Sequence, residues 1–192
     1  MPRIATQTLA QHRDWRRNQL IDAAAAIALE SGGAAITVAA VAQRAGLSRT
    51  SVYEYFGSSA ELVADLIVDE LRSFAKLLAE AVAQCEGSRN CIECWIEGAL
   101  TYIADGRHLL AKALNASAIP QSRSHQIAAA HRALMAPLLD GFEKMGVKDT
   151  HQAMVFVQAI TDAATKRIEA GHDAEAEIKS ATAFCINGLA SI

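Results

Sequence analysis

Apolar residues recur at helical spacing along almost the whole chain. In the first segment, Leu20, Ala23, Ala24 and Ile27 fall on one face of a helix that the pattern predicts at residues 12–31. Glycines and cap residues then interrupt the apolar pattern at intervals typical of helices. The pattern therefore predicts an all-α fold of about nine helices without a strand.

The same signals predict eight further helices. Their predicted bounds are 38–45, 49–55, 58–84, 90–104, 107–116, 122–144, 149–169 and 173–190. Thr37, Ser48 and Asp173 stand directly before helices as N-cap residues, since their side-chain oxygens can accept an unpaired backbone N–H. Pro137 falls inside the 122–144 segment and predicts a kink or a tighter segment there.

Composition supports the helical prediction and narrows the class of protein. Hydrophobic residues make up 52% of the 192 residues but aromatic residues only 5%, because alanine, the best helix former, dominates. The longest apolar run, residues 23–29, is far shorter than the roughly 20 residues of a membrane span. With no apolar leader near the start, the four cysteines are expected to be free thiols in the cytoplasm.

Charge is distributed unevenly along the chain. Residues 1–60 carry six arginines and four acidic residues, hence a charge of +2, whereas the remainder carries 12 basic and 17 acidic residues, hence −5. A mildly basic N-terminal end on an acidic body is compatible with binding of a polyanion at that end.

The segment 37–56 has the layout of a helix-turn-helix motif, two short helices joined by a three-residue turn that contains Gly46. Val41, Val52 and Phe56 are expected to pack inward, which leaves hydrogen-bonding side chains on the outer side of the second helix. The alternative is an ordinary helical hairpin with solvated polar residues. The candidate DNA-binding residues are Thr37, Arg44, Ser48, Arg49, Thr50, Ser51, Tyr53 and Tyr55.

From about residue 16 to 66 the sequence resembles the tetracycline-repressor (TetR) family of transcription regulators. The resemblance rests on 20–24, Gly32, 37–38, 45–48, 52–53, 55–56, Ser58 and 61–62, with matching spacing throughout. It implies a three-helix DNA-binding head, here residues 1–60. It further implies a helical body, here 61–192, that binds a small effector and dimerises through its last two long helices.

Apolar stripes of the body yield two sets of candidate residues. The first set consists of candidates for an effector pocket. The alternative is that they form ordinary core, since an apolar stripe at helical spacing is more often core than a ligand site. The second set lies in the last two helices. These helices carry more apolar residues than one core-facing stripe accommodates, which predicts a homodimer interface. The effector-pocket candidates are Phe74, Leu78, Trp95, Tyr102, His131, Met135 and Leu139. The dimer-interface candidates are Val157, Ile160, Ala164, Ala181, Phe184 and Cys185.

Other reactive residues give weaker signals. Cys91 and Cys94 share a helix face and lie near Cys85, but no second Cys-x-x-Cys or nearby histidine pair completes a metal site. We expect core thiols and no metal, with a thiol- or metal-responsive sensor as the alternative. Asp65 and Glu70 are expected on the solvated side of their helix. The chain lacks a phosphate-binding glycine loop, a nucleophile elbow and a convincing carboxylate pair, so we expect neither an enzyme nor a cofactor.

Together these patterns predict a cytoplasmic, ligand-responsive transcriptional repressor. It would bind a near-palindromic double-stranded DNA operator as a homodimer, respond to an unidentified small-molecule effector, and have no membrane partner. One alternative is a helical ligand-carrier or protein-interaction module that does not bind DNA. The other is a regulator that responds to thiol oxidation or to a metal.

Overall fold

The computed structural model describes residues 9–85, 91–114 and 119–190, with side chains from residue 11 onward. These residues form nine α-helices and no strand, which confirms the predicted fold class. Single turns of 3-10 helix occur at Gly33–Ala35 and Gln121–Arg123. The helices are α1 (Leu9–Ser31), α2 (Val38–Ala45), α3 (Arg49–Tyr53), α4 (Ser59–Ala83), α5 (Cys91–Ala104), α6 (Leu109–Leu114), α7 (Ser124–Met145), α8 (Thr150–Glu169) and α9 (Ala174–Leu189).

The predicted caps are present at the predicted positions. The side chain of Thr37 accepts the backbone N–H of Ala40 at 3.1 Å, and that of Asp173 accepts the N–H of Ala176 at 2.7 Å. Gly46 ends α2 with φ +67°, in the left-handed region that glycine adopts without a steric penalty. Local sequence therefore determines where these helices begin and end.

Several helix bounds differ from the prediction by one to three residues, and α1 begins at Leu9 instead of residue 12. Helix α3 ends at Tyr53 instead of residue 55, because the chain tightens there: the N–H of Tyr55 bonds to the Val52 carbonyl, three residues back, at 3.1 Å, and Phe56 is buried. Helix α6 begins at Leu109 instead of residue 107, and the predicted end at 116 lies outside the described residues. Helix α7 begins at Ser124 and continues through Pro137 to Met145.

The chain folds into two compact units, each with its own core. The first comprises residues 1–69 and 109–127, and the second comprises 70–108 and 128–192, so α4 contributes to both. The first unit packs α1, α2 and α3 around Leu20, Val41 and Val52, all fully buried. The two units are defined only by which residues lie close together in space. The division at residue 60 into a DNA-binding head and an effector-binding body stays a prediction.

In the second unit, α5 and α7 approach each other closely. Ile92, Leu138 and Phe142 are fully buried there. A Cβ added at Gly141 would lie 2.6 Å from Cγ1 of Ile92, closer than real side chains pack. Gly141 therefore permits this approach, and any larger residue would force the two helices apart.

The cysteines correct one expectation. Cys85 and Cys94 form a disulfide that joins the end of α4 to the first turn of α5, with their Cα atoms 6.1 Å apart. The expectation of free thiols is wrong for this pair, because Cys85 and the first turn of α5 lie next to each other in space, which linear spacing does not reveal. Cys91 and Cys185 are free.

None of the described helices combines the length and the apolarity that crossing a bilayer requires.

Candidate DNA-binding surface and effector cavity

Helix α3 is anchored by apolar contacts on one side and exposes polar residues on the other. Val52 is fully buried, while the N–H of Leu47 bonds to the Ala42 carbonyl at 2.9 Å and closes the turn after α2. Arg49 and Thr50 are exposed in the first turn of α3, and Tyr53 is 57% exposed. A short, anchored helix thus presents a guanidinium and two hydroxyls to solvent.

Serine and threonine caps support the same surface. The hydroxyl oxygen of Ser48 accepts the Ser51 N–H at 3.1 Å and lies 3.0 Å from the Ser51 hydroxyl. Ser48 and Thr37 are exposed caps. A hydroxyl that accepts a backbone N–H keeps its own hydrogen for donation, so each cap can still donate a hydrogen bond to a phosphate.

The remaining candidates of the predicted DNA-binding set have protein partners. Arg44 donates two hydrogen bonds to the carboxylate of Glu30, at 2.5 and 2.6 Å. That hydrogen-bonded pair lowers the pKa of Glu30 and raises that of Arg44. Tyr55 is half-buried, with the guanidinium of Arg13 5.9 Å from its ring centroid. Both candidates are therefore held in place within the first unit.

Asp65 holds together three segments of the first unit. Its carboxylate accepts a hydrogen bond from Arg17 in α1 at 2.6 Å and forms an ion pair with Arg123 in the turn before α7. Its side chain is only 15% exposed. The expectation of a solvated Asp65 is wrong, because two arginines distant in sequence converge on it.

A cavity of about 390 Å³ lies within the second unit, between residues of α4, α5, α7 and α8. Of the predicted pocket residues it brings together Phe74, Trp95, His131 and Met135. Among the described residues, the lining is Phe74, Trp95, Ala99, Leu100, Ile103, His131, Leu134, Met135, Gln158, Thr161, Asp162 and Thr165. We call this space the effector cavity.

Three predicted pocket residues do not line the effector cavity. Leu78 is fully buried in the core, and Leu139 is 39% exposed. Tyr102 stacks on Phe74, with ring centroids 4.2 Å apart, and donates a hydrogen bond to Glu70. Burial and this hydrogen bond to Glu70 raise the pKa of Tyr102, and the expectation of a solvated Glu70 is wrong for the same reason.

Sequence reasoning missed the polar side of the effector cavity. Gln158, Thr161, Asp162 and Thr165 all lie in α8, for which the sequence pattern predicts only a role in dimerisation. Their spacing of three, four and seven residues places them on one helix face. That polar stripe beside the apolar residues in the middle of α8 is the signal that could have identified them.

An apolar groove between α8 and α9 contains most of the predicted dimer residues. Its lining is Phe156, Val157, Ala159, Ile160, Phe184, Cys185, Gly188 and Leu189. Phe156 is 48% exposed and Phe184 68% exposed, whereas Ala164 and Ala181 are buried in the core of the second unit. Phe156, Ala159, Gly188 and Leu189 are additions to the predicted set. Large apolar side chains exposed together indicate a surface that binds another apolar surface.

Metal-ligating residues do not cluster in the described ranges. No group of three or more histidine, cysteine, aspartate or glutamate residues there is arranged to hold a metal ion.

Comparison with known proteins supports the interpretation of the first unit. Residues 20–66 match the family model of the bacterial regulatory proteins of the tetR family. This range contains α2, the turn, α3 and the start of α4. No curated protein matches the sequence at a significant level.

Solved structures share the fold at low sequence identity. A TetR-like transcriptional regulator from Rhodococcus sp. RHA1 is 23% identical, with a TM-score of 0.70 over 92% of this chain and 97% of that one. The regulator FadR from Bacillus subtilis, solved in complex with stearoyl-CoA, is 19% identical, with a TM-score of 0.71 over 89% and 98%. The superantigen PfiT is 15% identical, with a TM-score of 0.77 over 88% and 95%.

Proposed function

We propose that this chain, whose residues 20–66 match the model of the tetR family of bacterial regulatory proteins, regulates transcription by binding a double-stranded DNA operator through α3. The observation that carries this proposal is the pair Arg49 and Thr50, exposed in the first turn of an anchored and N-capped helix. The first turn of a recognition helix is the part that reaches base edges in the major groove.

The side chains around α3 supply both kinds of contact that specific binding requires. Arg49 can donate two hydrogen bonds to one guanine, which discriminates between bases by roughly 1–3 kcal/mol. The hydroxyls of Thr37, Ser48 and Tyr53 are exposed and can donate to phosphates, which sets the register of the helix in the groove. Ser51 and Tyr55 support this helix from half-buried positions.

The apolar groove supports a homodimer formed through α8 and α9. Two copies that pair by their exposed Phe156 and Phe184 would remove both rings from water. A symmetric dimer binds two half-sites at once, so its operator is a near-palindrome. Buried Val157, Ala164, Ala181 and Cys185 would then stiffen the helices that form the interface.

The effector cavity supports response to a small molecule. Its volume lies within the range typical of ligand pockets, and the FadR relative was solved with a bound ligand. We infer that effector binding favours a conformation with lower operator affinity, which makes the protein a repressor relieved by its ligand. The size of that effect is limited by the difference in effector affinity between the two conformations.

A binding module that does not act on DNA is the second candidate. The observation in its favour is the likeness to the superantigen PfiT, because one fold hosts unrelated functions. A protein of this kind would bind DNA weakly, equally on all sequences, and only at low salt.

Selection of bound fragments from a random DNA pool by the full chain separates the two candidates. A regulator should enrich a near-palindrome whose half-site centres lie about 10 base pairs apart or a multiple of that spacing. The enriched sequence should then compete against random DNA at two salt concentrations. A pool that yields no common sequence, together with equal affinity for random and selected DNA, would support the binding module.

A further inference from the structure

The effector cavity has one apolar side and one polar side. Apolar and aromatic residues of α4, α5 and α7 line the first, among them Phe74, Trp95 and Met135. The stripe Gln158, Thr161, Asp162 and Thr165 of α8 lines the second. A ligand that fits this space therefore combines an apolar body with a polar group directed at α8.

The formal charge of the lining is negative. Among the described residues of the lining, Asp162 is the only one with a carboxylate, and none is an arginine or a lysine. Lys166 follows one helical turn after Asp162 but does not line the cavity. Asp162 would therefore repel a ligand carboxylate or phosphate, and no lysine or arginine of the described lining offsets that repulsion. Anionic ligands should therefore bind more weakly.

The polar side also offers more acceptors than donors. The hydroxyl of Thr161 donates to the carbonyls of Val157 and Gln158, at 2.9 and 3.0 Å, so its hydrogen is engaged by the helix backbone. Its oxygen can still accept, and the Asp162 carboxylate only accepts. On the opposite side, the indole N–H of Trp95 is engaged by the Leu134 carbonyl at 3.2 Å. The groups left for the ligand therefore favour one that donates hydrogen bonds.

The aromatic rings of the lining also favour a cationic ligand. Phe74 and Trp95 both line the cavity, and the faces of such rings attract organic cations. One face of Phe74 is stacked on Tyr102. Met135 supplies a polarisable, adaptable contact for an apolar body. Aromatic rings, acceptors and a carboxylate around one small space are the chemistry that recognises an alkylammonium group.

We propose that the effector cavity binds a small organic cation, a protonated amine attached to an aromatic or alkyl body, with the ammonium group on Asp162 and Thr161. This assignment rests on the proposed function only in treating the cavity as the effector site. The volume of about 390 Å³ favours a compact body over a long acyl chain. The carboxylate of Asp162 disfavours polyanionic ligands such as acyl-CoA thioesters.

The test uses three probes with one shared body: phenylbutylamine, phenylbutanol and phenylbutyrate. The chain has two tryptophans, so a full-length Trp15→Phe variant leaves Trp95 as the only indole reporter of the cavity. Titration of its fluorescence should show the amine binding about three- to tenfold more tightly than the alcohol, with the carboxylate weakest.

Two charge variants locate the effect. Asp162→Asn should bring amine affinity to about that of the alcohol while alcohol affinity stays the same. Asp162 and Asp140 are both exposed, but Asp140 lies in α7 outside the lining, so Asp140→Asn removes the same charge and should change neither affinity. Circular dichroism verifies that both variants are folded.

Three results would overturn the proposal: tighter binding of the carboxylate than of the amine, an unchanged amine-to-alcohol ratio in Asp162→Asn, or no binding of any probe at millimolar concentration. Tight carboxylate binding that His131→Gln abolishes would assign the cavity to anions. Operator binding by the ligand-free protein is measured separately. Its loss would refute the regulator function and leave the ligand class standing, whereas failed probe selectivity with intact operator binding would refute the ligand class alone.

Discussion

Arg44 in α2 and Glu30 in α1 form a two-hydrogen-bond ion pair at 2.5 and 2.6 Å. Both side chains are exposed, so the pair adds little to stability. Its consequence is electrostatic, because the carboxylate neutralises one of the six arginines in residues 1–60. The pair therefore lowers the positive charge that the first unit can offer to DNA.

Glu30→Gln is expected to strengthen non-specific DNA binding, because it releases Arg44 for a phosphate contact. The slope of log affinity against log salt should steepen by about one, the amount expected for one added phosphate contact. The Arg44→Ala variant should not show this gain when combined with Glu30→Gln. An unchanged slope in Glu30→Gln would mean that Arg44 does not reach the DNA backbone.

Arg49→Ala is expected to relax sequence preference at one operator position while weak non-specific binding persists. Arg49→Lys is the matched control, since it keeps the charge but loses the planar two-donor fork. If Arg49 reads a base, the lysine variant restores affinity for random DNA without restoring the preference. If Arg49→Ala lowers affinity equally for all DNA sequences and Arg49→Lys restores that affinity fully, Arg49 contacts only phosphate. Selection from a random pool with each variant measures the preference.

Tyr53→Phe is expected to weaken operator binding by about three- to tenfold without changing the preferred sequence. Tyr53 is 57% exposed, so loss of its hydroxyl leaves the core intact and removes one hydrogen bond to phosphate. Titration of the selected operator and of its single-base variants checks both parts. A change in the preferred base would show that Tyr53 reads the groove.

The helices are easier to predict from the sequence than the site is. Helix ends depend on residues three or four positions apart, whereas the site depends on residues that are far apart in the sequence. Helix caps such as Thr37 and Asp173 act over three residues, so the sequence alone locates them. Asp65 is bound by arginines 48 residues before it and near the start of α7, a pairing that helical periodicity cannot reveal. The effector cavity likewise depends on which face of α8 meets α5 and α7.

Phe184→Glu is expected to convert the dimer into monomers and to weaken operator binding, since two half-sites are no longer bound together. Phe184 is 68% exposed, so a charge there disrupts the apolar groove without a cavity in the core. Ile160→Glu should act in the same way from the opposite helix. Leu109→Glu, a change at a 50% exposed position of α6, is the control. Wild-type protein that sediments as a monomer at micromolar concentration would contradict the interface.

Gly141→Ala is expected to destabilise the protein by about 1–3 kcal/mol, because the added Cβ would lie 2.6 Å from Cγ1 of Ile92. Denaturant unfolding measures the change. In an Ile92→Ala background the offending atom is absent, so the same substitution should cost much less. Additive effects of the two changes would show that the contact with Ile92 is not the source of the cost.

The cysteines are expected to differ in reactivity according to their bonding and burial. Unreduced protein denatured under nitrogen should expose two titratable thiols, because Cys85 and Cys94 are joined. In the native state at pH 8 only Cys91 should react rapidly with iodoacetamide. Burial raises the pKa of Cys185 to about 11, so little of its thiolate exists at that pH. Its reactivity should rise as the pH approaches 11, and Cys91→Ser should abolish the fast phase. Four thiols in the unreduced protein would show that the disulfide does not form in solution.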